Sequence, residues 1–260
     1  MPHTELGGAD VLSPDAPPRP ERWRTVAQGI GEILVTGGLV VLLFVVYSLF
    51  VTDLITDRRQ GELTRQLQEE WDRPPAAEQA PHESILGEAF AVLHIPRLGA
   101  DYERVVVEGT TDAALRQGPG HYTGTAGPGE QGNLAIAGHR DGRGSPFLDL
   151  DLLRPGDPIV VETATSWFVY RVLGDRETGE FDGDPSGVPG RQIVRPTDIE
   201  VISPTPDGPA RGAPTGTYLT LTTCHPRYSA EQRLIIHATL DGAAIAKADL
   251  PDGPPALRER

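Results

Sequence analysis

The sequence predicts an all-β domain, a closed barrel with short helical insertions, joined to one N-terminal transmembrane helix. Three observations carry this. From about residue 88 onward, short runs rich in β-branched and aromatic residues alternate with Gly and Pro punctuation. Helical periodicity there is confined to two short patches. Upstream, Ile33 to Val51 runs nineteen residues without a charge. As a helix that stretch spans roughly 28 Å, close to the hydrocarbon thickness of a bilayer.

Composition bounds the function before any motif is read. The chain has 260 residues, 23 basic and 37 acidic, for a formal net charge of −14. Such an acidic balance argues against gripping nucleic acid phosphates. The length suits one good-sized domain with appendages. The single cysteine, Cys224, excludes an intramolecular disulfide and a Cys-rich zinc site, leaving a buried apolar thiol or a reactive one. Lys247 is the only lysine.

In chain order, residues 1–28 hold Pro14, Pro17, Pro18 and Pro20 among scattered charges and read as a disordered arm. Residues 29–52 are the transmembrane helix. Thr52, Asp53, Leu54 and Ile55 follow the apolar run where a cleaved signal would have a small-residue site, so the helix is an uncleaved anchor. Arg19, Arg22 and Arg24 before it are matched by Arg58, Arg59 and Arg65 after it, so flanking charge leaves the orientation undecided. Residues 53–87 read as a solvated, helix-prone stalk, with Leu54, Leu63, Leu67 and Trp71 at partly helical spacing, and then a linker marked by Pro74, Pro75 and Pro81.

The folded domain covers 88–242. Its expected strands are Phe90 to Ile95, Arg104 to Val107, Asn133 to His139, Pro158 to Thr163, Trp167 to Leu173, Gln192 to Val194, Glu200 to Ile202, Tyr218 to Cys224 and Arg233 to Leu240. Short helices are expected at Asp112 to Gln117 and Pro146 to Leu153, within an antiparallel barrel. Residues 243–260 read as a flexible tail.

Three residues stand out as chemistry. Tyr218 to Leu240 reads as strand, loop from His225 to Gln232, strand, which sets Cys224 opposite Arg233 on one face. A packing thiol gains nothing from a neighbouring arginine, whereas a thiolate or a developing oxyanion is stabilised by it. The run Leu134 to His139 ends in Gly138 and His139, placing an imidazole at a strand end. Together these supply a nucleophile, a proton-transfer group and an oxyanion stabiliser. His225 is the rival base, disfavoured because neighbours on an extended chain point to opposite faces. The acidic pairs Glu69 and Glu70, and Asp149 and Asp151, read as solvated faces, with no metal or other cofactor implied.

The TLTTC run at Thr220 to Cys224, the arginine nine residues on at Arg233, and the GH dipeptide at Gly138 and His139 resemble the sortases, cysteine transpeptidases of Gram-positive cell surfaces. The likeness covers about residues 88 to 242, with the PGD turn at Pro155 to Asp157. The flavour of TLTTCHP, AGHR and HIPRLG (His94 to Gly99) is most similar to the class E sortases of actinobacteria. A class C lid motif is not matched by Trp71-Asp72-Arg73-Pro74. The resemblance implies an eight-stranded barrel with Cys224, His139 and Arg233 at its mouth. It implies cleavage of an LPxTG-like signal, with LAxTG expected for class E, between Thr and Gly. The implied partners are proteins with a C-terminal sorting signal and a peptidoglycan precursor or other amine as acceptor. It also implies a single-pass anchor in the bilayer through Ile33 to Val51, with the barrel outside the cell. Two other readings stay open at this level. One is an anchored noncatalytic β-domain that binds peptide or wall; the other is a cysteine hydrolase that releases the peptide to water.

Overall fold

The computed structural model describes residues 22–47, 52–72, 87–142 and 144–259. The chain divides into two units, residues 1–46 and 47–260. In the first, helix α1 (Arg22–Val46) contains an apolar stretch, Val26–Val46, long enough to cross a membrane, none of it buried within the protein. It begins inside the segment expected to be a disordered arm. The rest of that arm, and the last residues of the expected span, lie outside the described residues.

The second unit is built on a closed barrel. Its strands are β1 (Ala89–His94), β2 (Glu103–Glu108), β3 (Gly120–His121), β4 (Gly132–Ala137), β5 (Pro158–Glu162), β6 (Ser166–Val172), β7 (Arg191–Val194), β8 (Thr217–His225), β9 (Gln232–Leu240) and β10 (Ile245–Ala246). Eight of them form the ring β6-β5-β1-β2-β3-β4-β8-β9, which closes through the pairing of β9 with β6. β7 and β10 extend β9 and β6 outside the ring. The period-two alternation of strands explains the core. Leu219 and Leu221 of β8, Leu234 and Ile236 of β9, and Leu134 and Ile136 of β4 are all buried in one cluster with Phe147, Leu150 and Tyr170. Thr220 and Thr222 face the outer side of β8. Each fully buried aliphatic side chain contributes about 1.5–3 kcal/mol.

Four features of the barrel and of the segment that follows it depart from expectation. The barrel is not wholly antiparallel: β2 pairs β3 and β4 pairs β8 in parallel. Parallel partners need long crossovers, which here carry β5 to β7 between β4 and β8. The apolar run Glu200 to Ile202 belongs to a 3-10 turn (Ile199–Ile202). Only Val201 of that run points inward, and Pro204 and Pro206 lack the N–H a ladder needs. The expected helix at Pro146 to Leu153 shrinks to turns and a 3-10 segment (Leu150–Leu152). Finally, the segment expected to be a flexible tail, described through residue 259, packs on the barrel. β10 pairs β6, Trp167 Nε1 donates to the Leu250 carbonyl at 3.1 Å, and Ala256 is buried with Val160, Trp167 and Val169.

The segment expected to be a solvated stalk is helix α2 (Thr52–Trp71), and it docks on β1 and β2. Leu67 is buried with Val92 and Val105, and Leu63 and Trp71 pack beside them. Gln60 completes the dock: its Oε1 accepts from the Val105 N–H at 2.7 Å, and its Nε2 donates to the Gln117 carbonyl. Gly118 leaves the room, since a Cβ there would lie 2.3 Å from Gln60 Nε2 and 2.6 Å from the Val105 carbonyl oxygen. Trp71 also stacks under the Lys247 ammonium at 4.6 Å, and that ammonium bonds Glu162 at 2.7 Å. Residues 73–86, which include the Pro-rich linker, lie outside the described residues.

Candidate active site

The β8–β9 hairpin sets Cys224 directly opposite Arg233, and the ladder runs on through His225 and Gln232. The connecting loop is therefore six residues, 226–231, two shorter than the spacing suggested. The pair shares a rung at the rim, where both are partly exposed. The Arg233 guanidinium donates from Nη1 to the carbonyls of Ala230, at 3.0 Å, and Gln232, at 2.9 Å. Among the described residues no carboxylate pairs with it, so its charge is not already neutralised.

His139 arrives from the other side of β8. The parallel β4–β8 ladder ends at Ala137 opposite Thr222, and the Gly138 N–H then donates to the Thr222 carbonyl at 3.0 Å. Thr223 Oγ1 returns a bond to the Gly138 carbonyl at 2.8 Å. These two bonds hold Gly138 beside Thr222 and Thr223, and His139 is the next residue along the chain. Gly138 is required here by packing: a Cβ would sit 2.4 Å from the buried Phe147 ring. Phe147 in turn donates its N–H to the His139 carbonyl at 3.0 Å. The structure thus sets Cys224 and Arg233 on one rung at the end of β8 and β9, and His139 two residues past the end of β4, the strand that pairs β8.

The outer face of β8 leads away from Cys224. Thr222, two residues back, bonds the Tyr122 hydroxyl at 3.0 Å. Thr220 lies in a buried polar chain. Gln192 Nε2 donates to His237 Nε2 at 3.1 Å, His237 Nδ1 bonds Thr220 Oγ1 at 2.8 Å, and Thr220 donates to Asn133 Oδ1 at 2.7 Å. Asn133 Nδ2 then donates to the carbonyls of Val201 and Ser203. This chain pins the long β7–β8 connection over the strand. Burial drives the His237 imidazole down to about 3, so it stays neutral and structural.

The "Sortase domain" family profile matches residues 93–241. The chain belongs to the sortase family. It is 34% identical over 217 residues to sortase SrtE1 of Streptomyces coelicolor, an alignment that covers 81% of this chain and 56% of that protein. Among solved structures it resembles the SrtF sortase of Corynebacterium diphtheriae, with 42% identity, a TM-score of 0.63, and coverage of 72% of this chain and all of that one. The crystal structure of S. coelicolor sortase E1, described as holding a tripeptide in the active site, matches at 32% identity and a TM-score of 0.53, covering 69% of this chain and 99% of that one. Sortases are cysteine transpeptidases, and Cys224 is the one cysteine in this sequence.

Two neighbours of the site escaped the sequence reading. Tyr122 follows a two-residue strand with no periodicity to betray it. Arg140 entered that reading only as the last residue of the AGHR run, with no role assigned to it. His225, the rival base, accepts a hydrogen bond at Nδ1 from Arg140 Nη1 at 3.0 Å. Among the described residues no group of three or more His, Cys, Asp or Glu could hold a metal ion.

Proposed function

We propose that this sortase is a membrane-anchored transpeptidase that cleaves an LPxTG-like sorting signal, LAxTG by preference, between Thr and Gly. The observation that supports the reading best is the Cys224–Arg233 rung at the partly exposed end of β8 and β9, with His139 just past the end of β4, the strand paired to β8. The Cys224 thiolate attacks the Thr carbonyl, forming a C–S bond. The developing oxyanion is stabilised by Arg233. Protonated His139 gives its proton to the departing Gly amine, the C–N bond breaks, and a thioester remains. An incoming amine of the cell wall attacks that thioester, neutral His139 takes its proton, and the thiolate leaves. The outer face of β8, bounded by the pinned β7–β8 connection, suits an extended peptide, in keeping with the tripeptide described for sortase E1. On this reading the barrel lies outside the cell, where the sorting signal and acceptor amine are met.

The test incubates the full chain in detergent micelles with LAxTG and LPxTG peptides and an added amine, identifying products by mass. The wild type yields an adduct joined at Thr. Cys224→Ala yields none, and Arg233→Ala loses on the order of 10²–10³ in turnover. Turnover surviving in Cys224→Ala sinks the covalent route. A product formed only with water, with amine in excess, turns the reading to a hydrolase.

A further inference from the structure

Arg140 is 3% exposed, and its guanidinium reaches both segments that carry the proposed chemistry. Nη1 donates to His225 Nδ1 at 3.0 Å and to the Cys224 carbonyl at 3.4 Å. Nη2 pairs with Asp151 Oδ1 at 2.9 Å, and Nε donates to the Leu148 carbonyl at 3.4 Å. A buried guanidinium is costly to desolvate and persists only where its donors are matched. Here the planar fork is satisfied by acceptors from two stretches of chain that the β4–β8 ladder no longer joins. Asp151 supplies the opposite charge. Burial works against its ionised form, yet its backbone hydrogen bond and the Arg140 and Arg227 guanidiniums hold it below the usual carboxylate range.

The His225 contact has a chemical consequence. A guanidinium cannot accept, so His225 Nδ1 must offer its lone pair and the ring proton must sit on Nε2. The imidazole adjoining the nucleophile in sequence is thereby fixed in one neutral tautomer, its Nδ1 engaged and closed to proton transfer.

We infer that Arg140 is a positioning residue: it braces the end of β8 against the chain leaving β4, keeping Cys224 level with His139, and it locks the His225 tautomer so that His139 alone moves the proton. This rests on the transpeptidase reading above.

The test uses the full chain, labelled with 15N-histidine, in micelles. Long-range proton–nitrogen spectra, with the His225 signals assigned through His225→Gln, are expected to show His225 protonated on Nε2 in the wild type. In Arg140→Met a mixture of tautomers appears, and kcat for peptide cleavage falls ~10–10²-fold while KM for the peptide stays within about twofold. Arg140→Lys keeps the charge but not the fork and is expected to lose kcat in the same way. A wild-type His225 protonated on Nδ1 overturns the inference. So does a folded Arg140→Met with full kcat, or one whose loss lies in KM. Should neither variant fold, the wild-type tautomer decides. A wild type that cleaves no sorting peptide sinks the transpeptidase reading alone, because the tautomer is measured without substrate.

Discussion

Replacing Gly138 by Ala adds one methyl group at the point where His139 is delivered to the site. Its backbone lies outside the left-handed region, so the substitution carries no conformational penalty and tests packing alone. The new Cβ would lie 2.4, 2.7 and 2.9 Å from three atoms of the Phe147 ring, far inside contact distance. Phe147 is fully buried among Leu134, Ile136 and Leu150 and has little room to retreat. The strain is relieved in part by the end of β4, which carries His139 with it. Overpacking of this kind costs about 1–3 kcal/mol. For a unit of this size each kcal/mol lowers Tm by about 2–4 °C. Displacement of His139 by about 1 Å costs up to ~10² in kcat. Melting curves and peptide cleavage, followed by mass in the full chain, measure both. Phe147→Ala removes the clashing ring at about 3–5 kcal/mol of its own. In its background Gly138→Ala is expected to cost nothing further, a coupling that a double-mutant cycle reads directly. Full activity in Gly138→Ala, or an equal loss with and without the Phe147 ring, refutes the packing argument.

Other expectations follow from the same contacts. His237 is neutral in the fold and titrates near 6.5 when unfolded; with its folded value near 3, stability is flat above about pH 6.5. Below that the unfolded chain binds the proton, and stability falls by about 1.4 kcal/mol per pH unit towards pH 3. His237→Gln, measured by denaturant titration at several pH values, should flatten that slope. Gln60→Ala strands the Val105 N–H and the Gln117 carbonyl at a buried interface, at about 1–3 kcal/mol for each group left dry. Limited proteolysis should then cut within Thr52–Trp71, and an uncut helix would show that Leu67 and Trp71 suffice. Ending the chain at Gly242 removes Ala256 and the Leu250 carbonyl from Trp167, exposing Trp167, Val169 and Val160. The truncated protein is expected to melt several degrees lower, and an unchanged Tm would mean that the packing of the tail contributes nothing.

The hairpin pairing was legible because it is local. A short loop between two alternating runs fixes Cys224 against Arg233 within one rung, and the same alternation separates the core leucines from the outward threonines. The arrival of His139 was legible only as a type of residue at a strand end. What joins the strand before it to β8 is a parallel pairing between segments 85 residues apart, which no spacing encodes. The stalk was misread for a related reason: Gln60 is polar and sits on a polar helix, and nothing local announces that its amide replaces a partner for Val105. The two-residue strands β3 and β10 are too short for any period, and the tail holds its place through single contacts such as Trp167 to Leu250. Arg140 was given no role because its bonds to Cys224 and His225 span 84 and 85 residues and those to Leu148 and Asp151 depend on how the intervening turn folds.

The parallel union of β4 and β8 also bears on the order of assembly. The two strands lie 85 residues apart in the chain, whereas β8 and β9 are joined by a six-residue turn, so the hairpin closes a far smaller loop than the ring does. On the transpeptidase reading, a chain whose ring has not yet shut already pairs Cys224 with Arg233 but still lacks His139 beside them.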